Sequence, residues 1–575
     1  MLRVPRFVQL AALCALFALV SGSTGRAADV PKLGVKLILE QDPALRLQIE
    51  VTARGDEDGE TLFSVSPDWG GVPIDRVDLV EPRATSESGS PLQVKAISNF
   101  SWSVQHAPGE RVTFGASLLP NERRKTADSA DHYRPILEET LFQAIAHVFL
   151  PLPELDGGGD DLVSLGLTFE GFYEAQWQVV HSLGLGDDDL QAELTRERLS
   201  GLLFAAGELE VYTRQIRGGL LAFSISGDQW LFDGEEFADL VAEIIDLERN
   251  YLDDDSAPFY WVGAIQVGDP QAARYSFGGT GLTNSFALFL QPNTMIGASS
   301  PVGPQIRKLL AHECFHEWNG LRIRMGQPEE QNYWFSEGFT EYFARRILYE
   351  NELISEQTYV EWINTTLHDY HVSSARNLPA SKLAKIFWTT EDGQRQPYLR
   401  GELMAMIVEH AIRKTSNGRQ GLNDLMRSLL QEAEQEGPMR FGSERLLDRI
   451  GRFTGSDIIP SLRAICVDGS TAVLPSDVLG SGFVLESTIG YRFEAGFDWD
   501  ATLKTRRVTG VVQGGVAEKA GMNEGDEILA LSIEPGKANL PVSASVRTGS
   551  DAEVRKIEFL PRGNPIQIPV LKSVQ

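Results

Sequence analysis

From about residue 32 to residue 232, apolar and polar residues alternate in short runs. They include Val35-Lys-Leu-Ile-Leu, Leu45-Arg-Leu-Gln-Ile-Glu-Val, Trp177-Gln-Val-Val, Leu209-Glu-Val-Tyr and Leu221-Ala-Phe-Ser-Ile. A period of two between clusters of Gly, Pro, Asp and Ser marks β-strands. This stretch therefore reads as mostly β, with residues 138–147 as a helix within it. After Asp233 the period lengthens. Residues 237–252 predict an amphipathic helix, 261–267 and 286–290 predict strands, and 335–348, 359–371, 399–413, 422–435 and 444–453 predict helices. The pattern implies an α+β core ending in a helical bundle. In the last hundred residues, 507–512 predict a strand, 515–522 a short helix, Gly525-Asp526 a turn and 527–531 a second strand. The domain organisation expected is a β-rich domain over 29–232, a catalytic domain with its helical bundle over 233–460, and a small β domain over 475–575. The fold class is multidomain α+β.

One helical segment carries chemistry. Residues 305–311 supply Ile306, Leu309 and Leu310 at helical spacing and lead into His312-Glu313-Cys314-Phe315-His316, with no proline after Pro304. Side chains four apart on a helix lie on one face, so His312 and His316 can aim their imidazoles at one metal ion. After twenty further residues, Glu337 sits in Trp334-Phe335-Ser336-Glu337-Gly338-Phe339-Thr340-Glu341, on a second predicted helix. It completes three protein ligands, and three ligands leave the fourth tetrahedral position to water, as in a hydrolytic zinc site. The expected cofactor is one Zn2+ per chain. Glu313 borders the same face and is placed to be the base that activates water. Glu341, one turn beyond Glu337, is placed to accept a ligand imidazole N–H and fix that ring's orientation. His368 and His371 lie three apart on a helix without a nearby Cys or a placed acid, and read as packing or surface residues.

Composition narrows the class. The 575 residues are 42% hydrophobic and 23% charged, ordinary for globular domains, and carry a net charge of −28. That charge argues against nucleic acid or an anionic membrane surface as partner, since phosphate binding needs concentrated Lys and Arg. Arg3 and Arg6, the apolar run 7–20 and a small-residue stretch up to Asp29 have the layout of a secretory signal peptide over 1–28. The apolar run is short for a membrane span, so an exported protein, periplasmic or secreted and without a stable span after cleavage, is expected. Beyond that segment only Cys314 and Cys466 remain, too few for a disulfide framework. Both read as buried small hydrophobes.

Two resemblances follow from these motifs. Ala517 to Gly521 and the Gly-Asp turn before an apolar strand resemble a bacterial PDZ domain, which implies an extended peptide, such as a protein C terminus, as a partner for residues 475–575. His-Glu-Cys-Phe-His-Glu-Trp-Asn at 312–319, Arg322-Ile323-Arg324, residues 334–343 and Tyr398-Leu-Arg-Gly401 together resemble the glycyl aminopeptidase family of gluzincin metallopeptidases. The similarity extends over roughly 165–575, the N-terminal part matching in character alone. It implies a thermolysin-like core, peptide or protein substrates, zinc ligation by His312, His316 and Glu337, water activation by Glu313, and a hydrogen bond from Tyr398 to the oxyanion. Read alone, Tyr398 after Pro397 is a packing or turn residue.

The chain departs from that family at one point. Its members usually carry an acidic residue shortly after a Gly-Gly pair, where it holds the substrate's α-ammonium. Here the stretch reads Gly278-Gly279-Thr280-Gly281-Leu282, with Gly281 at the expected acidic place. An ammonium buried without a counter-charge is costly, so free-amine selection by the usual means is not expected. The backbone of Gly278, Gly279 and Thr280 still offers pairing to an extended substrate. An aminopeptidase-like zinc peptidase is the leading reading. An endopeptidase or other hydrolase on the same scaffold, and an inactive peptide-binding scaffold protein, stand as alternatives.

Overall fold

The structure is a computed structural model. It describes residues 30–574 apart from 70–71, 75–77, 122–132, 155–160, 228–229, 269–276, 298, 436–439 and 550–551. The expected signal segment lies outside the described residues.

The N-terminal alternation folds as read. Lys32–Glu40 and Arg46–Arg54 bury every second residue, and they pair antiparallel inside a ten-stranded sheet. Leu37, Leu47, Ile49, Val51 and Phe114 from its inner face are fully buried in a first core. A second sheet of five strands lies beneath, and here the expected helix at 138–147 is corrected. The chain forms strands Ile136–Glu138 and Leu141–Ile145, and turns helical only over Ala146–Phe149. All residues of Leu141–Ile145 are buried: Phe142 and Ala144 face the first core, and Leu141 and Ile145 face another core on the opposite side. A strand covered on both faces loses the polar alternation that identifies strands, and its apolar run imitates a helix.

The third layer is a mixed five-stranded sheet in the order Leu209–Ile216, Gly219–Ser226, Phe259–Gln266, Ser285–Leu290, Phe277–Leu282. The expected domain start at residue 233 falls between its second and third strands, so residues 209–226 are structurally part of this layer. Ala222, Trp261, Ala287 and Phe289 project toward the β layers, while Phe223, Val262, Phe286 and Leu288 project into the largest core, beneath the helices. Phe277–Leu282 is the edge strand, and Ser285–Leu290 is its partner.

Helices cover the other face. Gly234–Leu252, Tyr333–Glu350, Glu356–Val372, Leu422–Gln435 and Ser443–Thr454 match their predicted segments. The helix expected from residue 399 begins earlier, at Glu391, and runs through Pro397 to Ser416. Thr390 caps it by accepting the Gly393 N–H at 3.1 Å. The C-terminal segment holds the paired strands Phe483–Phe493 and Arg562–Ser573 and a three-stranded sheet, Glu527–Ser532, Val542–Arg547 and Arg555–Phe559. The strand expected at 507–512 reduces to a single bridge from Arg507 to Glu527, while the helix Val516–Lys519 and the strand Glu527–Ser532 fall where expected. No helix of the described residues is long and apolar enough to cross a membrane.

Candidate active site

The helix Gly303–Phe315 starts with a proline in its first turn and buries Ile306, Leu310 and Phe315 in the largest core. That burial turns the His312 and His316 face toward Tyr333–Glu350. The two rings lie 4.8 Å apart, nearly perpendicular. His312 Nε2 is 3.2 Å from His316 Nε2 and 3.3 Å from Glu337 Oε2, and His316 Nε2 is 3.5 Å from that oxygen. The predicted trio therefore converges on one point.

Each imidazole is held from behind. His312 Nδ1 meets Glu341 Oε2 at 3.1 Å, and Lys308 Nζ donates to the other Glu341 oxygen at 2.7 Å. Arg345 joins the same carboxylate and also donates to Glu402 at 3.0 Å. His316 Nδ1 meets the Asn319 carbonyl at 3.0 Å. The Asn319 side-chain amide donates to Phe335 O and Ser336 O, both at 3.1 Å, and to Thr340 Oγ1 at 3.0 Å. Asn319 thus fixes the end of one ligand-bearing helix against the start of the other. These contacts point both Nε2 atoms inward, the tautomer a metal requires. Burial alone lowers a histidine pKa, but the hydrogen bonds to Glu337 and Glu341 outweigh it and raise His312 to about 10. The same carboxylates place negative charge at the point where the imidazole nitrogens converge.

Glu313 accepts the Gly281 N–H at 3.2 Å. Because Gly281 belongs to Phe277–Leu282, the outer edge of that strand, unpaired with any strand of the described residues, faces the site. The place where an acidic side chain was expected is tight: a Cβ on Gly281 falls 3.1 Å from Glu313 O and 3.4 Å from His316 Cβ, so the motif helix must yield by a few tenths of an ångström to admit a side chain. Tyr398 projects from the first half of Glu391–Ser416, its ring 6.0 Å from that of His312 and near parallel. Burial, reinforced by the Glu337 and Glu313 carboxylates, pushes its phenol well above the ordinary value, so it keeps its proton.

These groups line one cavity of about 430 Å³ with Thr280 and Gly281. Gly278 and Gly279 lie on the same edge strand, further from the metal point. The cavity also takes residues that sequence reasoning missed: Trp69, Tyr133 and Glu197 from the β layers, and Glu329, Tyr333 and Trp388 from the helical side. Arg440 bridges the two new carboxylates, donating to Glu197 at 2.9 Å and Glu329 at 3.1 Å. None of these residues has a local signature, because each reaches the cleft through tertiary packing. Cys314 and Cys466 are free and buried, and His371 is buried with Nδ1 on the Leu367 carbonyl at 2.7 Å.

No curated protein sequence matches the chain. An aminopeptidase N family protein from Idiomarina loihiensis superimposes with a TM-score of 0.68 at 17% identity, over 94% of this chain and 98% of that one. An M1 zinc metallopeptidase from Deinococcus radiodurans aligns at a TM-score of 0.45 and 15% identity, over 77% and 94%. The first likeness shows a shared fold along nearly the whole chain. Residues 305–397, from the start of the motif helix to the residue before Tyr398, match the M61 glycyl aminopeptidase family. That match spans the motif helix and the helix that carries Glu337, and the chain is an enzyme of the zinc metallopeptidase class.

Proposed function

We propose that the chain is an exported peptidase that holds one zinc ion through His312, His316 and Glu337 and acts as an aminopeptidase. The observation that carries the zinc assignment is spacing. Zinc bonds of about 2.0–2.1 Å in a tetrahedron set ligand atoms about 3.3 Å apart, and the three donor atoms stand 3.2, 3.3 and 3.5 Å from one another. When bound, the ion supplies Lewis acidity toward water and the scissile carbonyl.

The chain's own groups do the rest. The edge strand offers Gly278, Gly279 and Thr280 to an extended peptide, laying its backbone along the cleft. Glu313 takes the proton from water and returns it to the departing amine. Tyr398 donates its O–H to the carbonyl oxygen as negative charge builds there. For the substrate's free ammonium, Gly281 gives no counter-charge, and Glu197 and Glu329 are the further carboxylates lining the cavity. The same glycine favours a second reading, an endopeptidase that accepts internal bonds. Export rests on the character of residues 1–28, and peptide capture by residues 475–575 on their PDZ-like motifs.

The test is a pair of assays on zinc-loaded protein. Glu313→Gln retains about one zinc per chain and loses peptide hydrolysis by several orders of magnitude, while wild type cleaves a free peptide faster than its N-acetylated twin. Hydrolysis by Glu313→Gln at the wild-type rate removes the mechanism. Equal cleavage of the two peptides replaces the aminopeptidase with the endopeptidase.

A further inference from the structure

The cleft wall on the helical side is aromatic. Tyr333 stands one turn before Glu337 on Tyr333–Glu350, so its ring and the third ligand emerge on the same side of that helix. Phe387 packs on Tyr333 with ring centroids 4.8 Å apart, and Trp388 meets Phe387 edge-on at 4.7 Å. Phe387 is buried, but Trp388 is 48% exposed. Its indole is nonetheless fixed, because Nε1 donates to Glu330 Oε1 at 3.2 Å. Across the cavity, Trp69 is tied to the edge strand by Nε1 donating to Thr280 Oγ1 at 3.1 Å. Tyr133 stands edge-on to Phe289 at 5.4 Å. Of these aromatic residues, all but Phe289 line the same cavity as His312, His316 and Glu337.

Resting on the peptidase reading above, we infer that Tyr333, Phe387 and Trp388 form a subsite for an aromatic side chain of the peptide, on a residue adjoining the scissile bond. The exposed face of Trp388 opens into the cavity that holds His312, His316 and Glu337, where a substrate ring can cover it. The Trp388 indole, already held by its hydrogen bond to Glu330, loses little freedom on binding, so the contact gain is kept. Glycine or alanine at that position leaves the Trp388 face in water. Phenylalanine, tyrosine or tryptophan covers it and can meet the cluster in the tilted or edge-on geometry that the three rings already adopt among themselves. The cavity is within the usual range for small-ligand sites.

The test measures binding apart from turnover. Zinc-loaded Glu313→Gln protein is titrated calorimetrically with Ala-Ala-Ala, Phe-Ala-Ala and Ala-Phe-Ala. One of the two phenylalanine peptides binds about three- to tenfold more tightly than the alanine peptide. Trp388→Ala in the same background removes that ratio, and Trp388→Phe restores most of it. A leucine peptide that gains as much as the phenylalanine one, or a ratio that survives Trp388→Ala, overturns the aromatic subsite. Equal binding of all three peptides also overturns it and leaves the peptidase reading standing. Absence of binding by every peptide overturns both.

Discussion

At the scale of the residue, the proposed metal site depends on Glu341 as well as on its three ligands. Its carboxylate orients His312 while it is gripped by Lys308 and Arg345, and the guanidinium of Arg345 reaches on to Glu402, itself held by Thr366 at 2.7 Å. Burial raises the Glu341 carboxyl, but Arg345, Lys308 and His312 overcome this and hold it well below the ordinary range, so it stays ionised. Glu341→Gln keeps the shape and removes the charge. Zinc affinity, measured by competition with a chromophoric chelator, falls about 10- to 100-fold while the ligands are untouched. Unchanged affinity means that His312 is oriented by packing alone. Glu341 was legible because it lies one turn from Glu337. Tyr398 was legible through resemblance alone: its sequence neighbours give no reason to expect a phenol facing a metal, and only the crossing of two helices brings it there.

At the scale of the element, that crossing depends on two glycines. A Cβ on Gly338 falls 2.2 Å from Gly401 Cα, and one on Gly401 falls 1.9 Å from Trp334 O. The backbones of Tyr333–Glu350 and Glu391–Ser416 are therefore in contact, next to Glu337 on one helix and one turn beyond Tyr398 on the other. Gly401→Ala forces the helices apart. It destabilises the protein by about 1–3 kcal/mol, read as a lower melting temperature, and lowers kcat in the surviving folded fraction because Tyr398 moves from its place. A variant as stable as wild type shows that the helices slide without loss. The helices themselves were readable from periodicity, and their boundaries less so. The periodic pattern starts only at 399, whereas the signal that decides is Thr390 with Glu391 and Asp392 in the first turn, a cap followed by charges that suit the helix dipole. Leu141–Ile145 misled for the opposite reason, since burial on both faces erased its pattern.

At the scale of the molecule, the chain is a stack of two β layers, a mixed sheet and a helical layer, and the cleft opens where the β layers meet the helices. This explains why the convergence of His312, His316 and Glu337 could be read from the sequence and the rest of the cleft lining could not. The ligands sit four apart on one helix and one helix later, whereas Trp69, Tyr133, Glu197 and Trp388 become neighbours only when the layers assemble. Asp254 is a joint in that assembly. It follows the C-terminus of Gly234–Leu252, accepts from Trp318 Nε1 at 2.6 Å just beyond the motif helix, and pairs with Arg322, which reaches on to Glu434 in Leu422–Gln435. Burial works to raise its carboxyl, but the Trp318 and Arg322 contacts prevail and hold the pKa down to about 2. A depressed folded-state pKa contributes stability that is present above the unfolded value near 4 and lost as pH falls through the folded value near 2. The ionised joint stabilises the neutral-pH protein by about 2 kcal/mol. Asp254→Asn therefore lowers the melting temperature at pH 7, and the gap from wild type narrows as pH drops from about 5 toward 3, because the wild-type carboxyl is increasingly costly to keep ionised while the amide has no charge to lose. Thermal melts of both proteins on chelated samples separate this joint from the metal site, and a gap constant across that range shows that the Asp254 charge does not hold the helices together.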